Sequence, residues 1–165
     1  MARPVRIIFS VLLFLFMVML PAAPVFADDS SVSAGLSLGL LLDIAPFGIE
    51  NKYVSIGASV TALSGWVSVS PSVSLSPSSW LVRMPVLLNL PLVTAQEGTA
   101  DWEVGVFAGG GIEYYRDSER RLWSPVVTGG VKIVTGSFSV AVPAAMAFRG
   151  YNNDSDIGVV LGVNF

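Results

Sequence analysis

From Val32 to the last residue, the sequence repeats one pattern: an apolar side chain at every second position, with Gly, Ser, Ala, Thr or a charge between. In Val32–Ile44 the even positions are Val32, Ala34, Leu36, Leu38, Leu40, Leu42 and Ile44, and the odd ones are Ser33, Gly35, Ser37, Gly39, Leu41 and Asp43. Successive side chains of a strand point to opposite faces, so this stretch predicts a strand with one wholly apolar face. The chain ends in the same form, IGVVLGVNF, with Ile157, Val159, Leu161, Val163 and Phe165 on one parity. The sequence is 53% hydrophobic, and its mean hydropathy is +0.69. Yet after Ala27 no apolar run approaches the roughly 20 residues of a spanning helix. Gly39–Ile44 contains Asp43, and Met84–Val93 contains Pro85, Asn89 and Pro91. Without a spanning helix, a chain can lie in a bilayer only if its strands close on one another, so that every backbone N–H and C=O finds a partner.

The same period recurs six more times between these two strands. Val54, Ile56, Ala58, Val60 and Ala62 alternate with Ser55, Gly57, Ser59 and Thr61, and Val67, Val69, Val73 and Leu75 alternate with serines. Further strands are predicted over Trp80–Leu90, Trp102–Tyr114, Ser124–Val134 and Phe138–Arg149. The connections fall at Pro46–Lys52, Ser64-Gly65, Pro77–Ser79, Thr94–Ala100, Arg116–Arg121, Thr135-Gly136 and Gly150–Ser155, all rich in turn residues or charges. Eight strands of about 11 residues match a tilted transmembrane span. The aromatic residues collect at strand ends. With the start of the first strand at the inner side of the membrane, Trp66, Trp102, Phe138 and Phe165 fall at inner ends, and Tyr53, Trp80, Tyr114, Trp123, Phe148 and Tyr151 at outer ends. Two belts of amphipathic rings suit the two interfaces of a bilayer. Pro85 and Pro143 sit in mid-strand, where a bulge or a locally missing ladder bond is expected.

The N-terminus has a separate character. Arg3 and Arg6 precede the apolar stretch Ile7–Leu20, followed by Pro21, Pro24 and the small-x-small triplet Val25-Phe26-Ala27. This is the pattern of a secretory signal peptide cleaved after Ala27, which makes residues 28–165 one domain. Removing the two arginines leaves 7 basic and 12 acidic residues, a formal charge of −5. No basic patch for nucleic acid survives.

Catalytic chemistry is narrowly bounded. The chain has no histidine and no cysteine, which removes Cys/His metal sites, Ser-His-Asp triads and Cys-His dyads. No enzyme activity, metal or cofactor is expected. Gly109–Gly111 lacks the following Lys and helix of a phosphate loop. The charges on the polar face are the candidate site. Arg83 and Glu113 are expected at similar heights on neighbouring strands, as are Glu103 and Lys132, while Arg149 and Asp156 flank the last connection and Asp43 tops the first strand. The interior of an eight-stranded barrel is filled by side chains, so these groups predict a lumen plugged by ion pairs. The arginines of the segment Tyr115–Trp123 are candidates to touch lipopolysaccharide phosphates, and the plainer reading of such a charge run is a solvated loop.

With the strands placed, the chain resembles the small eight-stranded bacterial outer-membrane barrels, including the OmpX-like and PorT-like group. The resemblance rests on Trp80-Leu-Val-Arg-Met-Pro-Val-Leu-Leu-Asn-Leu90, on the Gly-rich Trp102–Gly111, and on the alternating C-terminus. It implies an all-β fold, an eight-stranded antiparallel up-and-down transmembrane β-barrel, in the outer membrane of a Gram-negative-type bacterium. It further implies that Val159, Leu161, Val163 and Phe165 form the signal read by the barrel-assembly machinery. The expected interface aromatics are Trp66, Trp80, Trp102, Tyr114, Trp123, Phe138 and Phe148. The expected protein is monomeric and non-enzymatic, in contact with outer-membrane lipid and lipopolysaccharide, with a structural or surface-interaction role. Two alternatives stand beside this: a narrow channel or carrier for small or apolar solutes, and a soluble periplasmic β-sandwich or ligand-binding barrel.

Overall fold

The computed structural model describes residues 32–45, 48–63, 65–97, 100–149 and 152–165; the expected signal peptide and Tyr151 lie outside the described residues. Nine strand segments follow in chain order: β1 (Ser33–Ala45), β2 (Gly48–Ala62), β3 (Val67–Val69), β4 (Ser72–Leu75), β5 (Trp80–Glu97), β6 (Ala100–Arg116), β7 (Arg121–Thr135), β8 (Phe138–Arg149) and β9 (Asn152–Asn164). All pairings are antiparallel; β3 and β4 both lie between β2 and β5, the other segments pair with their chain neighbours, and β9 returns to β1 with Leu161 opposite Leu38 and Val159 opposite Leu40. Segments β3 and β4 hold a single register against β2, with Val69 opposite Val60 and Val73 opposite Ile56, so they form one stave. The sheet is therefore a closed ring of eight staves, with no free edge among the described residues.

The faces divide as the alternation predicts. Leu36, Leu38 and Leu40 of β1, Met84, Val86 and Leu88 of β5, and Val159, Leu161 and Val163 of β9 all point outward and are exposed, Leu40 at 63%. Leu41, Tyr53, Leu81, Leu87, Phe107 and Val126 point inward and are buried. Outward leucines left bare around a whole barrel are unstable in water but suited to lipid, since each would otherwise forfeit about 1.5–3 kcal/mol of burial. The two ends are distinct. The start of β1 and the end of β9 meet at one end, where the Phe165 amide donates to the Ala34 carbonyl at 2.7 Å. The turns Ser76–Ser79 and Asp117–Arg120 lie at the opposite, distal end.

The prolines leave both strand boundaries intact. Pro85 stands opposite Gly111, and Pro143 opposite Gly130. A Cβ on Gly111 would lie 2.2 Å from the Met84 carbonyl oxygen, and one on Gly130 would lie 2.2 Å from that of Val142. Glycine is thus required at both of these close backbone approaches. On its other side, Pro143 interrupts the ladder: Ala141 pairs Val160 and Ala144 pairs Ile157, with no pairing between. Pro71 and Pro85 border the break between β3 and β4. Pairing persists there through carbonyls, with the Ala58 amide donating to Pro71 O at 2.9 Å and the Ser70 amide to Pro85 O at 3.1 Å. A true register shift among these prolines occurs only at Pro91–Val93.

The hairpins run further than the sequence pattern predicts. β2 starts at Gly48 rather than Val54, β5 continues to Glu97 through most of the segment read as a polar connection, and β9 starts inside the Gly150–Ser155 turn cluster. Strand pairing is a backbone property and continues wherever two chains stay in register. The loss of alternating hydrophobicity marks where the apolar band ends, not where the strand ends.

Candidate functional site: the lumen and its distal rim

Four staves place charged side chains into the distal half of the lumen. Arg83 on β5 donates from Nε to Glu113 Oε2 of β6 at 2.6 Å, from Nη1 to Asp156 Oδ1 of β9 at 2.9 Å, and from Nη2 to Asp156 Oδ2. Arg149 on β8 donates from Nε and Nη2 to Glu113 Oε1 at 2.9 and 2.5 Å, and from Nη1 to Asp154. Glu113 is wholly buried and shared by both guanidiniums. The Arg149 guanidinium also lies 4.0 Å from the centroid of the Tyr115 ring. A buried charge is tolerated when paired and hydrogen-bonded, and here each lumenal arginine meets two carboxylates. Beside the cluster, Tyr53 packs with Leu41 and Leu81, and its hydroxyl meets Ser79 Oγ at 2.9 Å. At this level charge pairs cross the lumen beside the apolar contacts of Leu41, Tyr53 and Leu81.

Toward the end where β1 begins and β9 ends lies a cavity of about 220 Å³, bounded distally by Arg83 and Asp156 and lined by Ser55, Ser68, Phe107 and Lys132 among others. Lys132 Nζ donates to Asn89 Oδ1 at 3.3 Å, and Asn89 Nδ2 donates to Ser68 Oγ at 3.1 Å.

Of the expected charge network, Arg83, Glu113, Arg149 and Asp156 come together. Asp156 reaches across to Arg83, however, instead of pairing with Arg149 beside the last connection. Asp43 is buried but joins no ion pair among the described residues; it accepts from Asn51 Nδ2 at 3.4 Å and lies opposite Asp156 in the β1–β9 register. Glu103 and Lys132 form no ion pair. The register sets Lys132 against Gly105, with Glu103 one step further along, opposite Val134, and the amino group turns to Asn89. Tyr53 is corrected: its parity is that of Ser55, so it faces the lumen rather than the outer belt. Asp154 and Tyr115 are lumenal groups that sequence reasoning passed over, and Asn89, read there only as part of the polar face, bridges Lys132 and Ser68. Parity would have found the first two, since they share faces with Asp156 and Glu113.

On the outer wall, Trp80, Tyr114 and Trp123 form a continuous row across β5, β6 and β7, with ring centroids 5.3 and 4.9 Å apart. Phe148 is exposed at the same distal end, and Trp66, Phe138 and Phe165 at the other, where Trp102 is half-buried. At the distal tip, the Asp117 carboxylate accepts from the amides of Arg120 and Glu119 at 2.6 and 2.7 Å. These amides hold it below the usual carboxylate range.

Ring closure, a continuous outward apolar band and a charged interior define this molecule as a small eight-stranded β-barrel of the outer-membrane type. Solved structures agree on the fold. Neisserial surface protein A (NspA) is 9% identical, with a TM-score of 0.54 over 82% of this chain and 96% of its own. The Yersinia pestis outer membrane protein Ail in a phospholipid bilayer nanodisc is 7% identical, with a TM-score of 0.51 over 81% of this chain and 99% of its own. No protein-family model and no curated protein sequence matches the chain.

Proposed function

We propose that the protein is a non-enzymatic, monomeric, integral outer-membrane barrel, with its termini on the periplasmic side and a structural or surface-interaction role at the distal rim. The observation carrying this reading is the Arg83–Glu113–Arg149–Asp156 cluster, which ties four staves together across the lumen. A cluster of that kind holds a barrel shut and rigid, and leaves the short distal turns and the outer wall as the surfaces that meet other molecules. Phe165, Val163, Leu161 and Val159 project outward beside the β1–β9 closure, as an assembly signal read before closure requires. Membrane lipid and lipopolysaccharide are the partners such a wall meets. In planar bilayers the purified barrel is expected to give no unitary current steps.

The narrow-channel reading has one observation in its favour, the 220 Å³ cavity below the cluster. Stable current steps whose size shifts on Arg83→Ala would establish it and overturn the plugged lumen.

A further inference from the structure

The distal tip of β6 and β7 carries a juxtaposition that the plugged barrel does not explain. Arg116 and Arg121 are directly opposite in the β6–β7 register, and Trp80 is directly opposite Arg116 in the β5–β6 register. Both arginines share the outward parity of Tyr114 and Trp123. Like charges directly opposite one another destabilise a sheet, unless an anion lies between them. The chain supplies none: among the described residues no carboxylate lies within 4.0 Å of Arg116, Arg120 or Arg121 as an ion pair. Asp117, the nearest acid in sequence, is engaged by the turn amides and by the Tyr115 hydroxyl at 3.1 Å, on the lumenal side.

What lies beneath the pair is a second, independent pointer. The Trp80–Tyr114–Trp123 row runs immediately below, and below it Met84, Ile112 and Val127 are exposed on the outer wall. On the same outer face of β6, the next positions, Gly110 and Ala108, are exposed and small. Aromatic belts sit at headgroup level, so two unneutralised guanidiniums just above one lie where lipid phosphates lie. Guanidinium is the side chain best shaped for a phosphate, which it grips with paired N–H donors.

We propose that Arg116 and Arg121 bind the phosphate headgroup of an outer-leaflet membrane lipid, whose acyl chains lie along the apolar outer wall of β6. The site rests on the transmembrane reading of the barrel. A free anion would gain nothing from the aromatic row and apolar wall, which is why the lipid is assigned.

Tryptophan quenching tests this directly. In a Trp66→Phe/Trp102→Phe background, Trp80 and Trp123 remain as reporters beside the site. The barrel is reconstituted in phosphatidylcholine vesicles containing either brominated phosphatidic acid or brominated phosphatidylcholine. The phosphatidic acid is expected to bind at least about five-fold more strongly, the factor for one arginine near a membrane surface. Arg116→Gln/Arg121→Gln brings the ratio close to one, Arg116→Lys/Arg121→Lys keeps part of it, and Lys52→Gln, at an exposed cation on β2, leaves it unchanged. No preference, or a preference that survives the double glutamine variant, overturns the site. Loss of the preference on adding inorganic phosphate reassigns the site to a free anion and overturns the lipid assignment. Absence of quenching by both brominated lipids overturns the membrane reading itself, and the site falls with it.

Discussion

Arg83→Ala is expected to lower the folding stability of the barrel by about 3–5 kcal/mol, measured by denaturant unfolding in micelles with fluorescence as the probe. The magnitude is that of breaking a buried ion pair by removing one partner. Arg83 is 6% exposed, and Glu113 and Asp156 both accept from it. Its removal leaves Asp156 without a cation and Glu113 with Arg149 alone. The larger part of the cost is the desolvation of carboxylates that can no longer be compensated, since a net buried pair contributes little by itself. Replacing Arg83, Glu113 and Asp156 together by Met, Leu and Leu removes both charge signs, and is expected to recover most of the loss. A stability change below about 1 kcal/mol for Arg83→Ala would mean that water already fills the distal lumen and that the cluster is not a plug.

The second large effect lies on the outer wall. Leu161→Arg is expected to cost about 2–4 kcal/mol in lipid vesicles, the figure for a cation near the bilayer midplane. Leu161 is 57% exposed and level with Leu38, near the middle of β1, and with Val140, two residues inside the aromatic belt at Phe138. Val163→Arg, two residues nearer the end and level with Phe138, falls in the interfacial zone, where the same change costs about 0–1 kcal/mol. The ratio of the two losses reports depth, which a soluble barrel would not produce. There an arginine at either exposed position is close to neutral.

Which residues face the lumen was legible in the sequence, because strand parity carries it. A face of Leu36, Leu38 and Leu40 set against Gly35, Ser37 and Gly39 admits one orientation, and a slip of one residue would turn every charge into lipid. The distal charges were found for the same reason. Of their partners, only the neighbouring-strand pair Arg83 and Glu113 was legible. Arg83 meets Asp156 of β9, 73 residues away, because closing the ring sets those two staves across the lumen from each other. Strand tilt and stagger, not local pattern, decide such pairs. Strand ends were misread where polarity set in before pairing stopped, and this hid Asp154 inside a turn cluster. Tyr53 shows the opposite error, in which position along the strand was weighed above parity.

In the transmembrane barrel, the apolar face of these strands touches lipid and the polar face does not. The sequence contains no cysteine, so single cysteines carrying nitroxide labels can be placed at will. In bilayers, labels at Val159, Leu161 and Val163 are predicted to collide freely with dissolved oxygen and hardly at all with a water-soluble nickel reagent, while labels at Val160, Ala141 and Asn164 lose the oxygen contact. Equal access of the nickel reagent to Val159 and Leu161, at the level of an aqueous turn, would contradict a transmembrane barrel.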